Sequence, residues 1–114
     1  GPPATPAGLR GRPAETAAAL AVLGLGAAAA ERKAGLFAEA ARRLERLGLD
    51  GSAPCRAFWV PGCLEVSGRH TAAAGGRAVL CALERGLCAV VAPRADALLR
   101  VAVGPALCGP GVAE

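Results

Sequence analysis

From residue 31 to residue 47 the chain reads ERKAGLFAEAARRLERL, and its apolar positions Leu36, Phe37, Ala40, Leu44 and Leu47 recur at helical spacing with charges between them. That period lays one apolar stripe along an α-helix, and Gly48 follows as a C-terminal stop. Upstream lies TAAALAVLGLGAAAA, uncharged from Thr16 to Ala30. It predicts an Ala-rich helix weakened at Gly24 and Gly26. Downstream of GSAPC the pattern shortens. Residues 57–60 form an apolar stretch interrupted by Pro61-Gly62, and CLEVS, AVLCALE, LCAVVAP and LLRVAV are runs of strand length. Gly75-Gly76, Arg85-Gly86 and the segment around Asp96 separate them, so the last three predict a meander with turns at Arg85-Gly86 and near Asp96. AVLCALERGL can equally be drawn as helix, since Ala and Leu favour it; the flanking turn residues tip the reading towards strand.

Helices first and strands afterwards predict an α+β fold, in which N-terminal helices are followed by a small mixed or antiparallel sheet. Residues 1–15, with four prolines and three glycines and no periodicity, read as a flexible leader. Residues 16–48 form the helical segment, 55–104 the β-rich segment, and the Gly/Pro-rich residues 105–114 a loose tail. A chain of 114 residues suits one domain. The core is expected to be thin, because hydrophobic residues reach 54% while aromatics are only 3%, and Ala supplies half of the difference.

Composition removes several kinds of chemistry. The net charge is +4, but the arginines are dispersed among acids and no aromatic platform interleaves them, which argues against a nucleic-acid partner. Arg42, Arg43 and Arg46 read as a solvated helix face paired with Glu39 and Glu45. The uncharged run of fifteen residues is shorter than the roughly 20 needed to cross a bilayer, so no membrane partner is expected. A signal peptide fits poorly, because Glu15 abuts the apolar run and the basic residues are not compact. GLGAAAA lacks the hydroxyls and the Lys of a phosphate loop. Cys55, Cys63, Cys81, Cys88 and Cys108 contain no C-x-x-C pair, so they read as thiols in a reducing compartment rather than as metal ligands. The absence of Met leads us to expect a fragment of a longer product.

The remaining chemistry gathers in FWVPGCLEVSGRHTAAAGGRAVL, residues 58–80, which holds the only Trp and the only His. Gly62, Gly68, Gly75 and Gly76 permit tight turns or close approach of a ligand to the main chain. In order, VPGCLEVSGRHTAAAGGRAVLCALERG resembles the N-terminal signature of galactokinases, members of the GHMP sugar-kinase superfamily. Pro61, Gly62, Leu64, Val66, Gly68, His70, Thr71, Gly75 and Gly76 fall on that pattern, and the likeness runs through RGLCAVVAPR to cover about residues 57–103.

The resemblance implies the first segment of a cytoplasmic, ATP-dependent sugar 1-kinase acting on galactose or a related sugar, with ATP and Mg2+ as cofactors held elsewhere. It assigns His70 to a sugar hydroxyl, with Gly75 and Gly76 shaping the backbone beside it. An imidazole offers one donor and one acceptor, which suits a hydroxyl-rich ligand. Four positions depart from the pattern. Cys63 stands where the family has an Arg that stabilises charge during phosphoryl transfer, Arg69 where it has an acid or Lys, and Ala72-Ala73 where it has Asp-Tyr. The family's nucleotide loop and catalytic Asp are not within these residues, so the implied partner is a C-terminal kinase portion, and the chain alone is expected to be inactive. Two other readings stand beside this one: a non-catalytic sugar-binding or regulatory module on the same scaffold, and a small structural or secreted α+β protein.

Overall fold

A computed structural model describes residues 3–68 and 70–104. It has three helices followed by a two-stranded antiparallel sheet, a small α+β fold: α1 Pro6–Gly11, α2 Pro13–Val22, α3 Ala27–Arg46, β1 Arg56–Ser67 and β2 Val79–Val91, with a 3-10 turn at Ala72–Ala74 between the strands. The proposed tail, 105–114, lies outside the described residues.

The leader carries helical structure where it is described. Its prolines start helices instead of forbidding them: Pro6 and Pro13 occupy first-turn positions, where a missing N–H costs nothing. Thr5 caps α1, its hydroxyl accepting a bond from the Gly8 amide at 3.1 Å. Ala4 and Cys55 exchange backbone hydrogen bonds at 2.9 and 2.7 Å, the Ala7 amide donates to the Gly51 carbonyl, and Leu9 is buried. Tertiary anchoring thus orders a segment too short and too Pro-rich to show a period.

The uncharged run is broken rather than weakened. After α2 the chain turns at Gly24, φ +101°, with the Gly24 amide donating to the Ala21 carbonyl and Leu25 to Leu20. This is a Schellman closure, which needs a residue at positive φ. Gly26 then precedes α3. The same closure ends α3, where Gly48 at φ +105° donates to Glu45 and Leu49 to Leu44, as the stop at Gly48 anticipates.

Along α3 the buried face is centred on Ala30, Ala34, Phe37 and Ala41. Of the expected stripe, Phe37 is buried, while Leu36, Ala40, Leu44 and Leu47 are half-buried. The core proper is Leu9, Leu20, Ala30, Phe37, Ala41 and Cys55, and Ala57, Trp59, Cys88 and Val90 of the sheet pack against it. The helices therefore cover one face of the sheet. On the other face Phe58, Val60, Leu87 and Val91 are exposed.

Neither Pro61-Gly62 nor Arg85-Gly86 is a turn. Both lie inside long strands, with Pro61 opposite Gly86, and the register shifts immediately after Pro61. A Cβ on Gly86 would stand 2.6 Å from Trp59 Cη2 and 2.8 Å from Pro61 Cα, and would also strike the Val60 carbonyl. Glycine is used here because the backbones approach closely, a second reason for a glycine within a strand. The expected meander is corrected accordingly. AVLCALE and LCAVV form one strand, and LLRVAV, 98–103, is not a strand at all. The bend near Asp96 does exist: Asp96 accepts bonds from Arg94 Nε at 2.8 Å and from the Leu98 amide at 3.2 Å. Beyond it Arg100 Nη1 donates to the Leu47 carbonyl at 2.9 Å, tethering the segment to the end of α3 instead of to β2.

Candidate functional site

The signature residues fall on a single β-hairpin. Pro61, Gly62, Leu64 and Val66 lie in β1, and His70, Thr71, Gly75 and Gly76 lie in the connection to β2. Thr71 organises this connection. Its amide donates to the Gly68 carbonyl at 3.2 Å, and its own carbonyl accepts from the amides of Ala74 at 3.1 Å and Gly76 at 2.7 Å. The glycines have local reasons to be there. Gly68 and Gly75 hold positive φ, +95° and +85°; a Cβ on Gly76 would lie 2.7 Å from the Thr71 carbonyl, and one on Gly62 would lie 2.9 Å from the Arg85 carbonyl.

His70 is exposed in this loop and makes no hydrogen bond to another described residue. It lines neither of the two cavities described below. The loop brings His70, Gly75 and Gly76 into one connection folded around Thr71, but no described side chain closes over the imidazole to form a desolvated pocket. Cys63 is exposed on β1 opposite Ala82, and Ala73 is exposed in the 3-10 turn. The backbone of Ala72 belongs to the same turn. Arg69 lies outside the described residues.

A second constellation sits beneath the sheet, and the sequence pattern did not single it out. Lys33, the only lysine, is buried on the inner face of α3 with Nζ 4.6 Å from the centre of the Trp59 ring. A cation over an aromatic face is attracted by the ring quadrupole, which offsets part of the cost of removing the ammonium from water. Helical periodicity could have found Lys33, since it lies four residues before Phe37 on the same face. Beside it, burial pushes the Cys88 thiol up to about 11, against a smaller opposing effect of the Lys33 charge. Burial also raises Cys55. Cys63 and Cys81 are exposed, and these four thiols are all free.

Two hollows flank this core. One, of about 550 Å3, opens between α1, α2 and the start of β1, with Leu9, Leu20, Phe37 and Trp59 among its walls. The other, of about 380 Å3, lies between the end of α3 and residues 90–100. Among the described residues no cluster of three or more His, Cys, Asp or Glu could hold a metal, and no helix is long and apolar enough to cross a membrane.

No known protein family, curated protein or solved structure matches this chain.

Proposed function

We propose that the chain is the N-terminal portion of a galactokinase-like sugar kinase, that His70 and the Gly75-Gly76 backbone form one wall of a sugar site, and that the chain by itself transfers no phosphate. The observation that carries this reading is the placement of the ordered signature on one hairpin, with its His in the connecting loop. An imidazole exposed at a loop tip, beside glycine backbone at positive φ, is accessible to a hydroxyl-rich ligand but is not enclosed. A second wall must then come from another portion of polypeptide, which is the partner this reading requires. It also carries the cytoplasmic location of such kinases.

Catalysis needs charge neutralisation around a transferring phosphoryl group. Cys63 supplies neither a cation nor a fork of donors, and Ala72-Ala73 offer no side-chain acceptor. These residues do not fit ATP and Mg2+ and support no phosphoryl transfer. The same substitutions favour a second reading, in which the scaffold senses sugar without phosphorylating it.

The test is a galactose titration followed by the His70 ring resonances, with His70→Ala as control, together with an ATP-consumption assay. Galactose-dependent shifts of the ring signals without turnover support the proposal. No shift at saturating sugar removes the sugar-site assignment, and robust turnover by the 114-residue chain refutes the inactivity.

A further inference from the structure

The hollow between α1, α2 and β1 lies apart from the His70 loop, and it belongs to no part of the sugar-kinase reading. Its volume of about 550 Å3 falls within the range of sites that take small molecules. Small residues, Ala4, Gly8, Ala19 and Ala57, line it together with the larger ones, which is why the space is left unfilled.

Its charge is sorted by depth. The buried walls, Leu9, Leu20 and Phe37, are apolar. The charged lining residues, Arg12 and Glu15, are largely exposed, at 65% and 70% of their side chains, and so stand at the mouth. Among the described residues Arg12 has one ionic partner, Glu15, at 3.7 Å, which is too long for a hydrogen bond. Its guanidinium lies beside Gly8, whose Cβ would be 3.5 Å from Nη2. A planar fork of donors at the entrance to an apolar hollow matches one kind of ligand: an apolar body ending in a carboxylate.

We propose that this hollow binds a small monocarboxylate, with the apolar body against Leu9, Leu20, Phe37 and Trp59 and the carboxylate engaged by Arg12 at the mouth. The geometry provides its own reporter, because Trp59 is the only Trp in the chain and is one of the walls.

The probe is decanoate, titrated into the full chain below the concentration at which it self-associates, with Trp59 emission as readout and decanol as its uncharged counterpart. Decanoate is expected to give a saturable change and to bind roughly threefold more tightly than decanol, the scale of an exposed ionic contact. Arg12→Gln should erase that preference. The Arg12 side chain makes no capping bond to α2, so the variant leaves the helix intact. Ala19→Phe, at an exposed position on the wall, should abolish binding of both probes while far-UV circular dichroism stays unchanged. Absence of saturable binding, equal affinity for the two probes, a preference that survives Arg12→Gln, or binding that survives Ala19→Phe would each overturn the proposal.

Discussion

Gly86→Ala separates the observed strand from the expected turn by the sign of its effect. Gly86 is not at positive φ, so its backbone alone permits alanine. Where nothing obstructs the new methyl, such a change stabilises by about 0.4–1 kcal/mol, because the unfolded chain loses freedom. In β2 the methyl meets Trp59 Cη2 at 2.6 Å, Pro61 Cα at 2.8 Å and the Val60 carbonyl, two of the three being main-chain atoms that cannot swing aside. Forcing a methyl into packed surroundings costs about 1–3 kcal/mol. Allowing for the opposing gain in the unfolded state, we expect a net loss of roughly 1–2 kcal/mol. With a urea slope of roughly 1–3 kcal/mol per M, the midpoint should fall by about 1 M. Urea unfolding followed by Trp59 emission measures it, and the native emission should itself shift as the indole is displaced. Gly35→Ala is the matched control. Gly35 lies within α3, and a Cβ there meets nothing within 4 Å, so the same chemical change should stabilise by roughly 0.5–1 kcal/mol. A midpoint that rises in Gly86→Ala would refute the continuous strand and restore the turn.

Two further outcomes follow from the titrating groups. At pH 8, iodoacetamide should modify exposed Cys63 and Cys81 before buried Cys55 and half-buried Cys88, read by peptide mass spectrometry; early labelling of Cys88 would contradict its raised pKa of about 11. Because the folded Cys88 pKa lies above the ordinary 9.0, its contribution to stability is complete below pH 9 and declines as pH rises towards 11, a slope that Cys88→Ala should remove. The Arg94 side-chain hydrogen bond holds the Asp96 carboxyl at about 2, below the ordinary 3.8, so the fold of residues 94–98 should persist above pH 4 and loosen as pH falls towards 2. Amide exchange at Leu98 across that range, compared with Asp96→Asn, reads it directly.

What could be read from the sequence was whatever repeats with a regular period or closes a helix with a characteristic residue. The helix at 31–47 has both features, and α3 with its Gly48 closure matches it. The strand reading of AVLCALERGL also matches β2, although the Arg85-Gly86 turn expected to bound it lies inside that strand. Failures came where a residue serves long-range contacts. Pro6 and Pro13 look like breakers until the bonds from Ala4 and Ala7 to distant carbonyls are known. Gly86 looks like a turn until Trp59 is placed across it. LLRVAV has strand composition, but Arg100 is tied to Leu47. Around the candidate site, Gly75-Gly76 marked the break between CLEVS and AVLCALE that the hairpin connection occupies, while the hollow beside α1 was invisible, because its walls come from segments far apart along the chain.

The uncovered face of the sheet has a practical consequence for solubility. Phe58, Val60, Leu87 and Val91 meet water on a ribbon whose outer edges pair with no other described strand, and main-chain groups left on such edges invite another strand. Mutual repulsion from the net charge of +4 is the force opposing such clumping, and it fades within about 10 Å at 0.1 M salt. Purification at low ionic strength, with Val60→Lys to interrupt the greasy surface, should keep the protein dispersed where a high-salt buffer would precipitate it.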